Sequence, residues 1–314
     1  MTTTIATRFG QAVLVLLLAF TASFLLLQAL PGDAILIKYQ NPEMGLSPEQ
    51  IAEIRLRYGA DAPIWAQYGN TLVNFLQGSF GYSVQAGVPV NTVLAANAWP
   101  TLKLASLALV LAVLLAGLVA FAATLAPFSW LRNALQMVPS LMISVPVFWL
   151  GIMLIQLFSF RLRLVPIINP SEFQALILPV VTLAVPIAAP LAQILIRSLD
   201  EIETQPFVAV ARAKGASRRF VLWHHVLRNA LLPVLTIAGV LFGELLAGAV
   251  VTETVFGING LGRVTEQAVS NQDTAVLQAM VVLAALGFVL INLLVDLVAP
   301  LIDPRLNRPV GATA

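Results

Sequence analysis

From Ala12 to Leu30 every residue is apolar except Thr21, Ser23 and Gln28, and further apolar stretches of similar length follow along the 314-residue chain. About 20 such residues in a helix cross a hydrocarbon core of ~30 Å. The stretches are Thr101–Leu125, Met137–Phe158, Ala175–Ile196, Leu231–Val255 and one within Val276–Ile302, so six membrane spans are expected. A signal peptide is the competing account of the first run. Its apolar region would cover ~7–15 residues before small residues at a cleavage site, whereas this run is longer and ends in Leu30-Pro31-Gly32-Asp33, which favours a retained span.

Composition excludes the soluble alternative. Only 10% of residues are charged and 59% are hydrophobic, with a mean hydropathy of +0.90. A soluble domain carries roughly 25% charged residues. A net charge of +2 is too small to suggest a nucleic-acid partner. With no cysteine, disulfides, thiol catalysis and cysteine-ligated zinc are all excluded. The expected fold is all-α, a polytopic membrane protein of six transmembrane helices. Residues 1–30 form a short polar terminus and the first span. Residues 31–98 form a polar helical region, 99–302 the remaining membrane core, and 303–314 a tail.

The 31–98 region carries helix signals too small for an independent core. Ser47-Pro48-Glu49-Gln50 reads as an N-cap, a proline at the first helical position and a capping-box glutamine. A second helix is expected over Ile64–Gln77, ended by Gly78, and Pro89 is placed at the start of a third. Prolines interrupt the spans as well. Pro139 and Pro146 should bend the third, and Pro179, Pro186 and Pro190 fall in the fourth, where neighbours or water must satisfy the freed carbonyls.

Six spans leave both termini on one side. Arg8, Arg132, Arg197, Arg212, Lys214, Arg218, Arg219, Arg228, Arg305 and Arg308 fall there, against Arg161, Arg163 and Arg263, with Lys103 near the boundary, on the other. The positive-inside bias puts both termini in the cytoplasm and turns 31–98 outward. It also places the basic stretch Gln205–Pro233 in the cytoplasm. Two helical patterns flank Gly215 there, and Ser217 is positioned to cap the second. Charge alone would suit anionic lipid headgroups. An elbow that also carries Phe207, Val208, Val210, Phe220, Val221 and Leu222 suits a groove in a partner protein better.

Catalytic patterns are missing. The chain has no G-x-x-x-x-G-K-[ST] phosphate loop, so any nucleotide energy must come from another chain. His224 and His225 are adjacent, about 100° apart on a helix, and do not form a metal pair. Gly257-Ile258-Asn259-Gly260-Leu261-Gly262 is a glycine-rich turn. Two acids within spans need a reason, since a charge at mid-bilayer costs about 2.5–3.5 kcal/mol or more. Glu244 lies beside the small-residue row Gly239, Gly243, Ala247, and Asp296 lies one turn after Asn292. Each is a pathway or gate candidate or a buried helix–helix hydrogen bond, with the second account favoured for Asp296.

Ala211-Arg212-Ala213-Lys214-Gly215 followed by Leu227-Arg228-Asn229-Ala230-Leu231-Leu232-Pro233 resembles the cytoplasmic loop of binding-protein-dependent ABC importer permeases of the type I fold, in the dipeptide/oligopeptide/nickel branch. The likeness extends over nearly the whole chain. It includes Pro31-Gly32-Asp33, Gly59 with Asp61, Pro63 and Gln67-Tyr68, Gly81 with Ser83 and Pro89-Val90, and Thr101-Leu102-Lys103-Leu104-Ala105. It continues with Glu253-Thr254-Val255-Phe256, Gly260-Leu261-Gly262, Asn292 to Asp296 and Asp303-Pro304-Arg305. Ala209 stands where the wider loop pattern has glutamate. Asn259 and Ala34 replace prolines, and Ser79 replaces an acid.

The resemblance implies a non-catalytic permease subunit in the inner membrane, with no cofactor on this chain. Its expected partners are a second related permease subunit, two ATPase subunits carrying ATP and Mg, an extracytoplasmic binding protein and membrane lipid. It further implies that Ala211, Arg212, Ala213, Lys214, Gly215, Ser217, Arg218 and Arg219 couple to the ATPase. Asp61, Glu253, Gly260 and Gly262 would face the binding protein. A short peptide is the expected substrate, with nickel or a metal complex as the alternative. A stand-alone ion-coupled carrier using Glu244 or Asp296 is the competing class.

Overall fold

The computed structural model describes residues 2–29, 47–51, 53 and 62–302, with side chains from Arg8 to Leu297 among them. Asp61, the Pro31-Gly32-Asp33 and Gly59 positions, and the tail with Arg305 and Arg308 lie outside the described residues. The Ser47 box is present: Ser47 N–H donates to Gln50 Oε1 at 2.8 Å, and Gln50 N–H donates to Ser47 Oγ at 3.3 Å.

Helix α1 (Thr2–Ala29) carries the first span, and α2 (Ile64–Leu76) follows. Strands β1 (Tyr82–Ser83) and β2 (Val88–Pro89) then pair antiparallel as a small hairpin. Pro89 therefore ends a strand instead of opening a short helix. The next helix, α3 (Val90–Leu125), runs unbroken through Pro100 into the second span.

Helices α4 (Ser129–Ser144) and α5 (Val147–Leu154) meet at 97°, and a π-helical segment Ile155–Arg161 extends α5. The expected third span is therefore a broken pair. Pro146 disfavours the helical region for Val145, which sits extended at φ −93°, ψ 119°, and the chain turns there. Pro139 lies inside α4 without ending it.

Helix α6 (Glu172–Glu203) contains all three expected prolines and stays continuous. It opens with a capping box in which Gln174 N–H donates to Ser171 Oγ and Ser171 N–H to Gln174 Oε1. The remaining elements are α7 (Pro206–Ala213), α8 (Arg218–Val221), a π segment Leu222–Val226, α9 (Leu227–Phe256), α10 (Leu261–Ser270) and α11 (Thr274–Ile302). Among the described residues five helical stretches are long and apolar enough to cross a membrane, and the count is six when the bent pair is one span.

The chain divides into two compact units. One comprises Met1–Leu102 with Gly257–Val289. In it Phe20, Phe24, Tyr68, Phe75 and Phe80 form a chain of edge-to-face rings. The hairpin is fixed by Asp273, which is buried just before α11. Ser83 Oγ donates to Asp273 Oδ2 at 2.6 Å and Gln85 N–H donates to the same oxygen at 3.3 Å.

The other unit comprises Lys103–Phe256 with Leu290–Ala314. Its core lies along α6, whose Leu183, Ala184, Ala188, Ala189, Leu191 and Ala192 are buried. Small residues let backbones approach closely in a membrane bundle. A Cβ on Gly248 of α9 would stand 2.7 Å from Leu183 Cδ1, so glycine sets that helix spacing.

Candidate functional site

The Gln205–Pro233 stretch folds as an elbow with two unequal arms. Pro206, with its preset φ and no N–H to lose, opens α7 at a position where that donor has no partner. The C-terminus of α7 is closed by Gly215 at φ 88°: Gly215 N–H donates to Arg212 O at 2.9 Å and Ala216 N–H to Ala211 O at 3.2 Å. That pair of bonds is a Schellman closure, which needs the left-handed backbone glycine adopts without strain. Ser217 Oγ then accepts from Phe220 N–H at 3.3 Å and caps the second arm, as its position in the sequence implies.

The second arm is not a separate short helix. From Arg218 the helix continues through the π segment into α9, a single stretch of 39 residues ending at Phe256. The elbow's apolar residues also divide. Val208, Val221, Leu222 and Val226 are buried in a cluster with Ala120 and Ala123 of α3 and Leu195, Ile196 and Leu199 of α6. Phe207, Val210 and Phe220 are exposed, and only these three of the six remain available to a partner.

The basic residues divide in the same way. Glu203, at the end of α6, is only 16% exposed and lies 3.5 Å from Arg212 Nη2 and 3.9 Å from Arg218 Nε. Arg218 Nη2 also donates to the Thr124 carbonyl at 2.6 Å, satisfying a carbonyl in the last turn of α3. Arg212 and Arg218 thus tie both arms to the bundle. Lys214 and Arg219 are exposed and form no ion pair among the described residues. Beside the elbow, Arg132 Nη2 on α4 pairs with Asp200 Oδ1 of α6 at 2.7 Å.

His224 and His225 lie in the π segment. His224 stacks on Phe220 with ring centroids 4.1 Å apart, and its Nδ1 is 3.1 Å from the Phe220 carbonyl.

Glu203, Thr124 and Asp273 are absent from the residues singled out in the sequence. Asp273 carried a usable signal as an aspartate directly before an apolar helical run, a favoured N-cap. Its Oδ1 accepts from Val276 N–H at 3.5 Å. Glu203 had only its place in the acidic run Asp200-Glu201-Ile202-Glu203, with nothing local to say which arginine it meets.

Elsewhere the singled-out residues scatter. Glu253 is completely buried. Gly260 and Gly262 are also buried, at the N-terminus of α10, where Leu261 N–H donates to Thr101 Oγ1 at 2.7 Å. Arg263 Nη1 secures the preceding turn through Gly257 O and Asn259 Oδ1. Glu244 is exposed on α9. Asp296 is half-buried. Gly239 is buried against Asn292, whose Oδ1 would lie 3.2 Å from an added Cβ, whereas Gly243 and Ala247 are exposed.

The chain belongs to the family described as binding-protein-dependent transport system inner membrane component, matched over residues 108–308. Residues 1–100 match the description "Binding-prot-dependent transport system membrane comp, N-term". Among curated relatives, a probable peptide ABC transporter permease protein, y4tP of Sinorhizobium fredii, is 37% identical over 90% of this chain and 92% of its own length. The glutathione transport system permease protein GsiC is 35% identical in Salmonella typhimurium, over 93% of this chain and 94% of its own. In Escherichia coli K12 it is also 35% identical, over 90% and 92%. A crystal structure of an amino acid ABC transporter with histidines aligns at 17% identity and a TM-score of 0.49, covering 68% of this chain and 94% of that one.

The chain is accordingly a multi-pass inner-membrane permease of a binding-protein-dependent ABC importer. ATP is handled by a partner ATPase, and permease, ATPase and binding-protein partners complete the system. The stand-alone carrier is set aside.

Proposed function

We propose that this chain and a second related permease subunit form the pathway for a short peptide or a peptide-like solute such as glutathione, delivered by an extracytoplasmic binding protein and driven by two ATPase subunits. The substrate class rests on the peptide and glutathione systems named for the relatives at 35–37% identity. The arginine bias supports cytoplasmic termini and a cytoplasmic elbow.

The observation that carries the coupling role is the continuity of Arg218–Phe256. A force on the elbow acts on a membrane-crossing helix through a continuous helical backbone. Phe207, Val210 and Phe220 supply an apolar contact for a groove in the ATPase, and Lys214 and Arg219 supply charge at its rim. Arg212 and Arg218 set the angle of the arms through Glu203. Closure of the ATPase pair on ATP and Mg then shifts the bundle between inward- and outward-facing states, because the elbow makes different contacts in each. Glu244, exposed near the middle of α9, faces the pathway or the second subunit, since lipid would make its charge costly.

The test is co-purification of the ATPase with the detergent-solubilised chain, together with ATP-driven uptake of a labelled tripeptide or glutathione into proteoliposomes holding the full importer. ATPase capture and uptake that needs the binding protein support the proposal. Uptake by this chain alone, without ATPase, overturns it. Nickel accumulation in place of peptide would redirect the substrate class and leave the elbow intact.

A further inference from the structure

Helix α2 belongs to the region expected to stand outside the membrane, yet it packs on α1 at membrane depth. The apolar part of α1, Arg8–Ala29, has 22 residues. At 1.5 Å per residue these cover about 33 Å, barely enough for a hydrocarbon core of ~30 Å, so almost all of them must lie within it. Residues 20–28 of α1 therefore occupy one leaflet. Those are the residues α2 touches. Tyr68 packs on Phe20 and Phe24 with ring centroids 5.6 and 5.3 Å away, and its hydroxyl is 2.9 Å from Thr21 Oγ1. Phe75 packs on Phe20 at 5.2 Å, and Gln67 Oε1 accepts from Gln28 Nε2 at 2.8 Å.

The order of these contacts runs α2 antiparallel to α1, from the level of Gln28 inward to that of Phe20. On its far side, Trp65, Val73 and Leu76 fall within about 80° of one another by helical geometry. Trp65 and Leu76 are 76% and 80% exposed. At the same depth α1 exposes Leu25 and Leu26, so the apolar surface continues from one helix to the other. Asn70 and Asn74 occupy a different arc of α2. The Gln28–Gln67 pair at the seam between the two helices is extended by a second bond, Gln67 Nε2 donating to Ala62 O at 2.8 Å.

We propose that α2 is embedded in one leaflet of the membrane, with Trp65, Val73 and Leu76 against phospholipid acyl chains. The depth follows from α1 alone. Which leaflet it is, the outer one, rests on the topology proposed above.

The chain has no cysteine, so single labels report single sites. The variants Trp65→Cys and Leu76→Cys would carry a nitroxide in the full chain, reconstituted in phosphatidylethanolamine–phosphatidylglycerol vesicles. Leu26→Cys serves as the lipid reference and Ala86→Cys, at the exposed hairpin tip, as the water reference. Relaxation by oxygen relative to a polar nickel chelate is expected to match Leu26 and to exceed Ala86 on the order of tenfold, because oxygen partitions into hydrocarbon and the chelate does not. A ratio equal to that of Ala86 overturns the proposal. Shielding from both reagents in the assembled importer also overturns it and assigns the face to another subunit. So does chelate exposure that the binding protein removes. Absence of ATPase co-purification would defeat the importer proposal while leaving these ratios readable.

Discussion

Gly215 closes α7 in a backbone region that L side chains rarely adopt, while open space surrounds the position where a Cβ would be. Gly215→Val is therefore a conformational test and not a steric one. The left-handed geometry costs a non-glycine residue about 1–2 kcal/mol, so the elbow should lose its set angle. Uptake and ATPase capture are expected to fall severalfold while the amount of chain in the membrane stays constant. Wild-type coupling in that variant would count against the elbow. Glu203→Gln removes the charge that holds Arg212 and Arg218 together. Exposed and partly exposed ion pairs contribute about 1 kcal/mol or less, so the melting temperature should shift little. Uptake per ATP hydrolysed should fall more clearly than ATPase binding does. Equal loss of both would mean that Glu203 serves stability alone. Gly248→Ala pushes a methyl against Leu183 and should destabilise the bundle by about 1–3 kcal/mol. Leu183→Ala in the same chain should recover part of that loss in a double-mutant cycle read by thermal melting.

At the scale of elements, the strands are too short to hold a fold by themselves, and the hairpin persists because Asp273 ties it to the start of α11. In Asp273→Ala the Ser83 hydroxyl and Gln85 N–H lose their acceptor, a penalty of about 1–3 kcal/mol for buried groups. Faster deuterium exchange is expected in residues 82–89 and in the first turn of α11, which loses the cap at Val276 N–H, with α3 unchanged. What the sequence disclosed about elements follows from what is local. The apolar runs marked the spans, and the Ser47 box, the Gly78 stop and the Ser217 cap depend on residues three or four apart. The break at Pro146 was visible as a bend, but its size depends on how α4 and α5 pack and was not. Pro89 misled because Val88-Pro89 pairs with Tyr82-Ser83 in a hairpin that local propensity does not show. The burial of Glu253 and the inward turn of Val208, Val221 and Leu222 are properties of residues far along the chain. No periodicity within the elbow could report them.

At the scale of the whole molecule, family membership makes the chain one part of a machine whose fuel is handled elsewhere. Uptake by the reconstituted importer should stop when ATP is withdrawn and should persist when a protonophore collapses the proton gradient with ATP present. The opposite pattern would return Glu244 and Asp296 to consideration as ion sites. The long second arm also has a mechanical consequence. Thirty-nine residues of continuous helix measure about 58 Å, nearly twice the hydrocarbon thickness of ~30 Å. Such a rod acts as a lever. A tilt of about 5° at its Arg218 end carries its Phe256 end sideways by about 5 Å. That is the height of a helical turn, so a small motion at one membrane face can shift side chains at the opposite face by one packing position without any residue between them changing conformation.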